Sequence, residues 1–342
     1  MLPELDISHY LADHSSERAL EFVDQLRNTC HGPGFFYLRG HGVDEHVNIG
    51  ALDIANQFFA LPDTEREAIA IGNSAGFRGY TLLKNERTNG RIDWRDQLDI
   101  GPEEPTPTLT AEDPPWCRLR GPNQWPDSLP TMSSTINNWM AQMQPVGLAL
   151  MRALAVALGQ KINYFDSRMT PDPYTRVKII RYPPQPEQGG SDQGLGLHND
   201  TGIITMILQD SVPGLQVMSE GKLVDVESRA GTFVVNLGEM MQAASSGYLR
   251  ATAHQVVSPP PGKQRISIAY FVNPRLDARF EPITLPADLV GDASGGQNAD
   301  SNNPVHAIFG KNQLKTRMRS HPDVNERFYA DVDSNVEWQN LK

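Results

Sequence analysis

RVKIIRY (176–182), GIITMILQ (202–209), GLQVM (214–218), KLVDV (222–226), GTFVVNL (231–237), HQVVS (254–258) and RISIAYFV (265–272) are the runs on which the fold turns. Each is short, rich in β-branched and aromatic residues, and bounded by Gly or Pro. Their spacing is close to the roughly 8–12 residues expected of a sandwich or barrel. Residues 174–275 therefore read as a jelly roll. Upstream, 16–31 and 44–60 place apolar residues at helical spacing, as in Leu20, Val23 and Leu26, then Leu52, Phe58 and Phe59. GFFYLRGHG (34–42) between them reads as a strand. Residues 74–130 are rich in Gly, Pro and charge and read as a long irregular excursion, a kind of loop that tends to carry function. A long helical pattern covers 131–159, with Pro145 expected to kink it. Residues 276–342 begin irregular and end in a charged helical tail. The expected class is α+β: a double-stranded β-helix, or jelly roll, flanked by helices, with a mixed helical region over 1–125 and the jelly-roll unit over 126–342.

Composition narrows the function. Gly (28) and Pro (26) are too few, and hydrophobic residues (39%) too many, for a low-complexity or disordered chain. A net charge of −11 repels phosphate backbones and anionic lipid, so a small-molecule partner is expected rather than nucleic acid or membrane. Only Cys30 and Cys117 are present, which suits a reducing compartment. The opening MLPELDISHY has neither a basic n-region nor an apolar core, so a cytoplasmic location is expected. The most apolar stretch, 146–159, contains Arg152 and is shorter than the about 20 residues that span a bilayer. Oligomeric state is not legible.

The chemistry centres on GLGLHNDTG (194–202), where His198 and Asp200 are one residue apart beside a β run. On a strand, i and i+2 share a face, so an imidazole and a carboxylate can supply two ligands to one divalent metal. The pair alone is weak, because His321 and Asp323 have the same spacing in a polar tail where Asp323 reads as a helix N-cap. His254, in RATAHQVV (250–257), gives the first pair company, completing the two-His-one-carboxylate set that leaves positions open on iron(II). Arg265 and Ser267 follow on one face of a strand, where they can grip a carboxylate.

In order and spacing, LPELDIS (2–8), CHGPGFFYLRGHGV (30–43), GPNQWP (121–126), RYPPQP (181–186), HND (198–200), PGLQV (213–217), NLGEMMQAASSG (236–247), His254 and RIS (265–267) resemble the iron(II)- and 2-oxoglutarate-dependent dioxygenases of the isopenicillin N synthase-like group. The resemblance implies iron(II) at His198, Asp200 and His254, with O2 as oxidant and 2-oxoglutarate as cosubstrate. Arg265 and Ser267 would hold the far carboxylate of 2-oxoglutarate, and Tyr182 would contact it. Ile180 stands where many plant members have Asn. It further implies release of succinate and carbon dioxide and oxidation of a small organic substrate by hydroxylation, desaturation or ring formation. His41, Asn236, Gly214, Gly238 and Gly247 read as scaffold. The substrate pocket is expected from Phe77, Arg78, Tyr80, Gln97, Phe271 and Asn273. Three rivals stay open: an iron oxidase of this fold that does not use 2-oxoglutarate, a non-catalytic metal-binding jelly roll, and a zinc hydrolase, since two His and a carboxylate also bind zinc.

Overall fold

The computed structural model describes residues 2–186, 190–295 and 304–332. In chain order it contains β1 (Glu4–Asp6), α1 (Ser8–Ala12), α2 (Glu17–His31), β2 (Phe35–Arg39), α3 (Glu45–Ala60) and α4 (Asp63–Ala68), then β3 (Gly79–Thr81), β4 (Arg87–Thr88), β5 (Arg91–Ile92) and β6 (Asp96–Ile100). Next come α5 (Thr131–Ala157), α6 (Asp166–Met169), β7 (Arg176–Tyr182), β8 (Gln193–His198), β9 (Ile204–Gln209), β10 (Leu215–Ser219), β11 (Lys222–Asp225), β12 (Phe233–Leu237), α7 (Glu239–Ala244), β13 (His254–Val257) and β14 (Arg265–Val272). The described chain closes with α8 (Ala287–Val290), α9 (Phe309–Ser320) and α10 (Pro322–Phe328).

Two sheets face each other. The larger has the order β1-β2-β12-β9-β14-β7-β6-β3, and the smaller β11-β10-β13-β8. From β7 to β14 the strands alternate between the sheets, apart from the β10–β11 hairpin, which gives the jelly roll. The period-2 pattern of β14 explains the layering. Ile266, Ile268, Tyr270 and Val272 face the helices, whereas Arg265, Ser267, Ala269 and Phe271 face the smaller sheet. On the helix side, Trp139 of α5 meets Tyr270 edge-on and donates its indole N–H to Asn48 Oδ1 of α3 over 3.0 Å. The side chains of Ser16 and Asp44 cap α2 and α3 by accepting from Ala19 N and His46 N. Among the described residues, no helix is long and apolar enough to cross a membrane.

The structure corrects two sequence expectations. Residues 79–100 of the expected irregular excursion carry strands, of which β3 and β6 extend the larger sheet with every residue of β6 buried; 101–130 are irregular apart from one short turn of helix at Pro115–Leu119. Asp323 is not an N-cap; that position belongs to His321, and Asp323 lies in the first turn of α10 with no capping bond. Strands from the first 125 residues thus share one sheet and one main core with β7, β9, β12 and β14.

Candidate active site

His198 is the last residue of β8 and His254 the first of β13, and the antiparallel register pairs them directly. Their rings are 4.3 Å apart between centroids. His198 Nδ1 lies 2.9 Å from Gly196 O and His254 Nδ1 3.2 Å from Thr252 O, so each ring donates from Nδ1 to a carbonyl and keeps a lone pair on Nε2.

Asp200 lies past the end of β8, so its place beside His198 is not set by a shared strand face. Side chains of the larger sheet set it instead. Thr205 Oγ1 donates to Asp200 Oδ2 over 2.5 Å and Asn236 Nδ2 over 2.7 Å, which leaves Oδ1 turned to His198 Nε2 at 3.8 Å. The backbone of the same turn is tied to the start of α7 by Glu239 N to Asp200 O and Met240 N to Gly202 O. Gly238 allows that approach, because a Cβ there would lie 2.3 Å from Gly202 O. One donor atom from each of His198, Asp200 and His254 lies within 4.8 Å of the others.

Electrostatics keeps His198 and Asp200 free of protons. Burial, with the neighbouring His254 ring, pushes His198 down to about 3, so it is neutral at physiological pH. Burial alone would raise the Asp200 carboxyl, but the two histidines and the Asn236 and Thr205 hydrogen bonds outweigh it and hold the group below the ordinary carboxylate range. Two imidazoles and a carboxylate suit a divalent transition metal.

The cluster opens into a cavity of about 490 Å³ between the sheets, lined also by Arg265, Ser267, Tyr182, Phe271 and Asn273. Arg265 is 1% exposed, yet among the described residues no carboxylate comes within ion-pair distance of it. Its NH2 donates to Gln209 Oε1 over 2.7 Å and its NH1 to Ser267 Oγ over 3.2 Å, its Cζ lies 5.2 Å from the Tyr182 ring centroid, and Nε has no partner. Burial pushes this guanidinium below its ordinary pKa and the Tyr182 hydroxyl above its own. Stripping water from a charge costs several kcal/mol, on the order that a buried anionic ligand can offset. The pocket is therefore shaped for an acid.

Four expected pocket residues are elsewhere. Phe77 is buried and stacks on Tyr329 at 5.4 Å. Arg78 is buried over the Tyr174 ring, with NH2 directed to Leu119 O. Tyr80 donates its hydroxyl to Asp96 Oδ2 over 2.6 Å. Gln97 is buried on the cavity side of β6, opposite Ile180, but does not line the cavity; its amide donates to Glu86 Oε1 and Asp99 Oδ2. These four are buried where the segment joins the sheet and serve packing and internal hydrogen bonds, whereas Asn85, Glu86, Arg87, Thr88, Asp93 and Arg95 of the same segment do line the cavity. Phe271 and Asn273 do line the cavity. His321 faces inward but towards Glu86, at 3.5 Å, away from the His198 cluster.

Sequence reasoning missed Thr205 as a holder of Asp200 and assigned Asn236 to scaffold. The signal was present: Asn in FVVNL and Thr in ITMILQ are polar residues inside buried apolar runs. It also missed α9, whose Gln313, Thr316, Arg317 and Arg319 close one side of the cavity. No local signal marked that, since NQLKTRMRS has the composition of a solvated helix.

Residues 2–128 match the family described as the non-haem dioxygenase in morphine synthesis N-terminal, and residues 161–274 match the 2OG-Fe(II) oxygenase superfamily. The chain is 33% identical to the 2-oxoglutarate-dependent dioxygenase frbJ of Dothideomycetidae sp. (strain 11243), over 100% of this chain and 96% of that one. It is 32% identical to the homoarginine-6-hydroxylase 2-ODD-C23 of Glycine max, over 82% of this chain and 88% of that one. The crystal structure of a full-length Neurospora crassa protein in complex with alpha-KG superposes with a TM-score of 0.74 at 26% identity, covering 92% of this chain and 95% of that one. Sequence, architecture and donor set agree, and the chain belongs to the iron(II)- and 2-oxoglutarate-dependent oxygenases of the isopenicillin N synthase-like superfamily, oxidoreductases that use Fe(II), 2-oxoglutarate and O2.

Proposed function

We propose that His198 Nε2, Asp200 Oδ1 and His254 Nε2 hold the iron, that Arg265 and Ser267 receive the far carboxylate of 2-oxoglutarate with Tyr182 beside them, and that the product is a hydroxylated, desaturated or cyclised small organic molecule. The observation that carries this reading is Arg265, a cation buried in the cavity with an unpartnered Nε and, among the described residues, no carboxylate at ion-pair distance. With 2-oxoglutarate and O2, the bound metal supplies an oxidant able to break a C–H bond, with succinate and carbon dioxide as co-products.

The chain's own part is positioning. Gly196 O and Thr252 O fix the two imidazole tautomers, and Thr205 and Asn236 fix the carboxylate. Arg265 orients the cosubstrate and Phe271 gives the substrate an apolar wall. The net charge of −11 and the two unpaired cysteines support a cytoplasmic enzyme acting on a small molecule, not on a nucleic-acid backbone or a membrane surface.

The test is anaerobic titration of the iron(II)-loaded protein with 2-oxoglutarate, following the visible charge-transfer band of a metal-chelated 2-oxo acid. A saturable band is expected in the wild type, a midpoint at least about tenfold higher in Arg265→Gln, and no iron binding in a folded Asp200→Ala. An unchanged midpoint removes Arg265 from its role, and normal iron binding by Asp200→Ala removes that ligand.

A further inference from the structure

Beyond the cosubstrate end, the inner face of the larger sheet carries more positive charge than its carboxylates neutralise. The strand register orders it in rungs. Arg265 lies opposite Tyr182, Ser267 opposite Ile180, Ala269 opposite Lys178, and Phe271 opposite Arg176. Lys178 is four residues from Tyr182, about 13 Å along β7, so it and Arg265 mark different ends of one cavity. The Lys178 rung adjoins the Phe271 rung, where β9 contributes Thr205, the residue that holds Asp200. A molecule anchored at Lys178 therefore reaches towards the His198 cluster.

The carboxylates of this wall are already engaged. Glu86 accepts from Arg95 through Oε2 and from Gln97 through Oε1, and His321 Nε2 is 3.5 Å from Oε1. Burial would raise the Glu86 carboxyl, and Lys178, from beyond ion-pair distance, joins Arg95 in holding it down. Asp99 is shared by Arg176 and Arg317 and also accepts from Gln97. Among the described residues, the side chains of Lys178 and Arg319 have neither an ion pair nor a hydrogen bond, and both residues line the cavity. The buried Nε atoms of Arg95, Arg176 and Arg317 are unpartnered as well. Ammonium and guanidinium groups only donate hydrogen bonds, so a wall with this surplus suits a ligand group that only accepts them. Ala269 leaves room above Lys178, and Phe271 offers a face for an apolar body.

Resting on the assignment of Arg265 to 2-oxoglutarate, we propose that the primary substrate is a small organic acid whose carboxylate is bound by Lys178, with Arg319 of α9 guarding the entrance. Lys178 is thus a specificity-determining residue, and the substrate anion is separate from the cosubstrate anion. Arg78, the cation that sequence reasoning favoured for this part, plays none in it.

The test is binding without turnover. Zinc(II) replaces iron, 2-oxoglutarate is present, and ligand-observed NMR follows two matched series: phenylacetate, phenylacetamide and phenethylamine, then octanoate, octanamide and octylamine. At least one acid is expected to bind about ten- to a hundredfold more tightly than its amide and amine, the range of a charge-assisted hydrogen bond. Lys178→Met should abolish that preference, and Arg319→Gln, an exposed change that leaves folding intact, should weaken it. Arg265→Gln should leave it in place. If Arg265→Gln abolishes the preference while Lys178→Met keeps it, the acids were in the cosubstrate pocket and the proposal falls, with the 2-oxoglutarate assignment intact. Amides or amines binding as tightly as acids, or no acid binding at millimolar concentration, overturns it too.

Discussion

Asn236 gives the sharpest test of how this site is held. It is fully buried on β12, and its Nδ2 donates to Asp200 Oδ2 over 2.7 Å beside the Thr205 hydroxyl at 2.5 Å. Replacing it with Leu keeps most of the volume and removes one of the two side-chain donors on that oxygen. A hydrogen bond to a charged group contributes about 1.5–3 kcal/mol, and groups that orient a metal ligand typically account for about 10- to 100-fold in metal affinity. Asn236→Leu should therefore weaken iron(II) binding by about 10- to 100-fold. The deficit should grow as pH falls. With a donor gone, the upward push of burial on the Asp200 carboxyl is less opposed, so its pKa rises and protons compete with the metal at higher pH. The assay is anaerobic competition for iron(II) against a chromogenic chelator across a pH series, with melting of the metal-free variant to show that it folds. A folded Asn236→Leu protein that holds iron as tightly as the wild type, with the same pH profile, would refute the reasoning.

Three further outcomes are expected. Gly238→Ala should lower the melting temperature and loosen metal binding together, because its Cβ would meet Gly202 O at 2.3 Å and Asp200 O at 2.9 Å; overpacking of this kind costs about 1–3 kcal/mol, and a wild-type melt would show that the turn has slack. Asp99→Leu should cost about 3–5 kcal/mol in denaturant unfolding, since Arg176 and Arg317 would lose their shared carboxylate; a loss under about 1 kcal/mol would mean that water already reaches these groups. The metal-free protein should lose stability as pH falls below the ordinary histidine range, about 6.5. His198 is pushed down to about 3 and His306 to about 4, so the unfolded chain takes up protons that the folded chain refuses. That penalty is absent above the unfolded value, grows as pH drops through the window, and levels off below the folded values. His306→Gln should flatten the melting-temperature profile over that range, and an unchanged slope would count against its burial as the cause.

What the sequence by itself determined were the features encoded within a few residues. The β texture of 174–275, the helices over 16–31, 44–60 and 131–159, and the placing of Arg265 and Ser267 on one face follow from periodicity, and each has a counterpart in the structure; His198 and Asp200 were legible as a donor pair, though not through the shared strand face that period 2 predicted. Period 2 says which face a side chain takes but not which strand lies alongside. Tertiary structure alone decided that His254 lies opposite His198 across 56 residues of chain, through the β8–β13 register. It decided that Asp200 is held by Thr205 and Asn236 beyond the end of the strand, and that Phe77, Arg78, Tyr80 and Gln97 are buried in and beneath the sheet that β3 and β6 extend. It also brought α9 against the cavity and left Lys178 without a direct ion pair among the described residues. Those outcomes depend on which distant segments share hydrogen bonds and a core, and on which charges burial leaves unpaired, and neither quantity is a property of any short window of sequence.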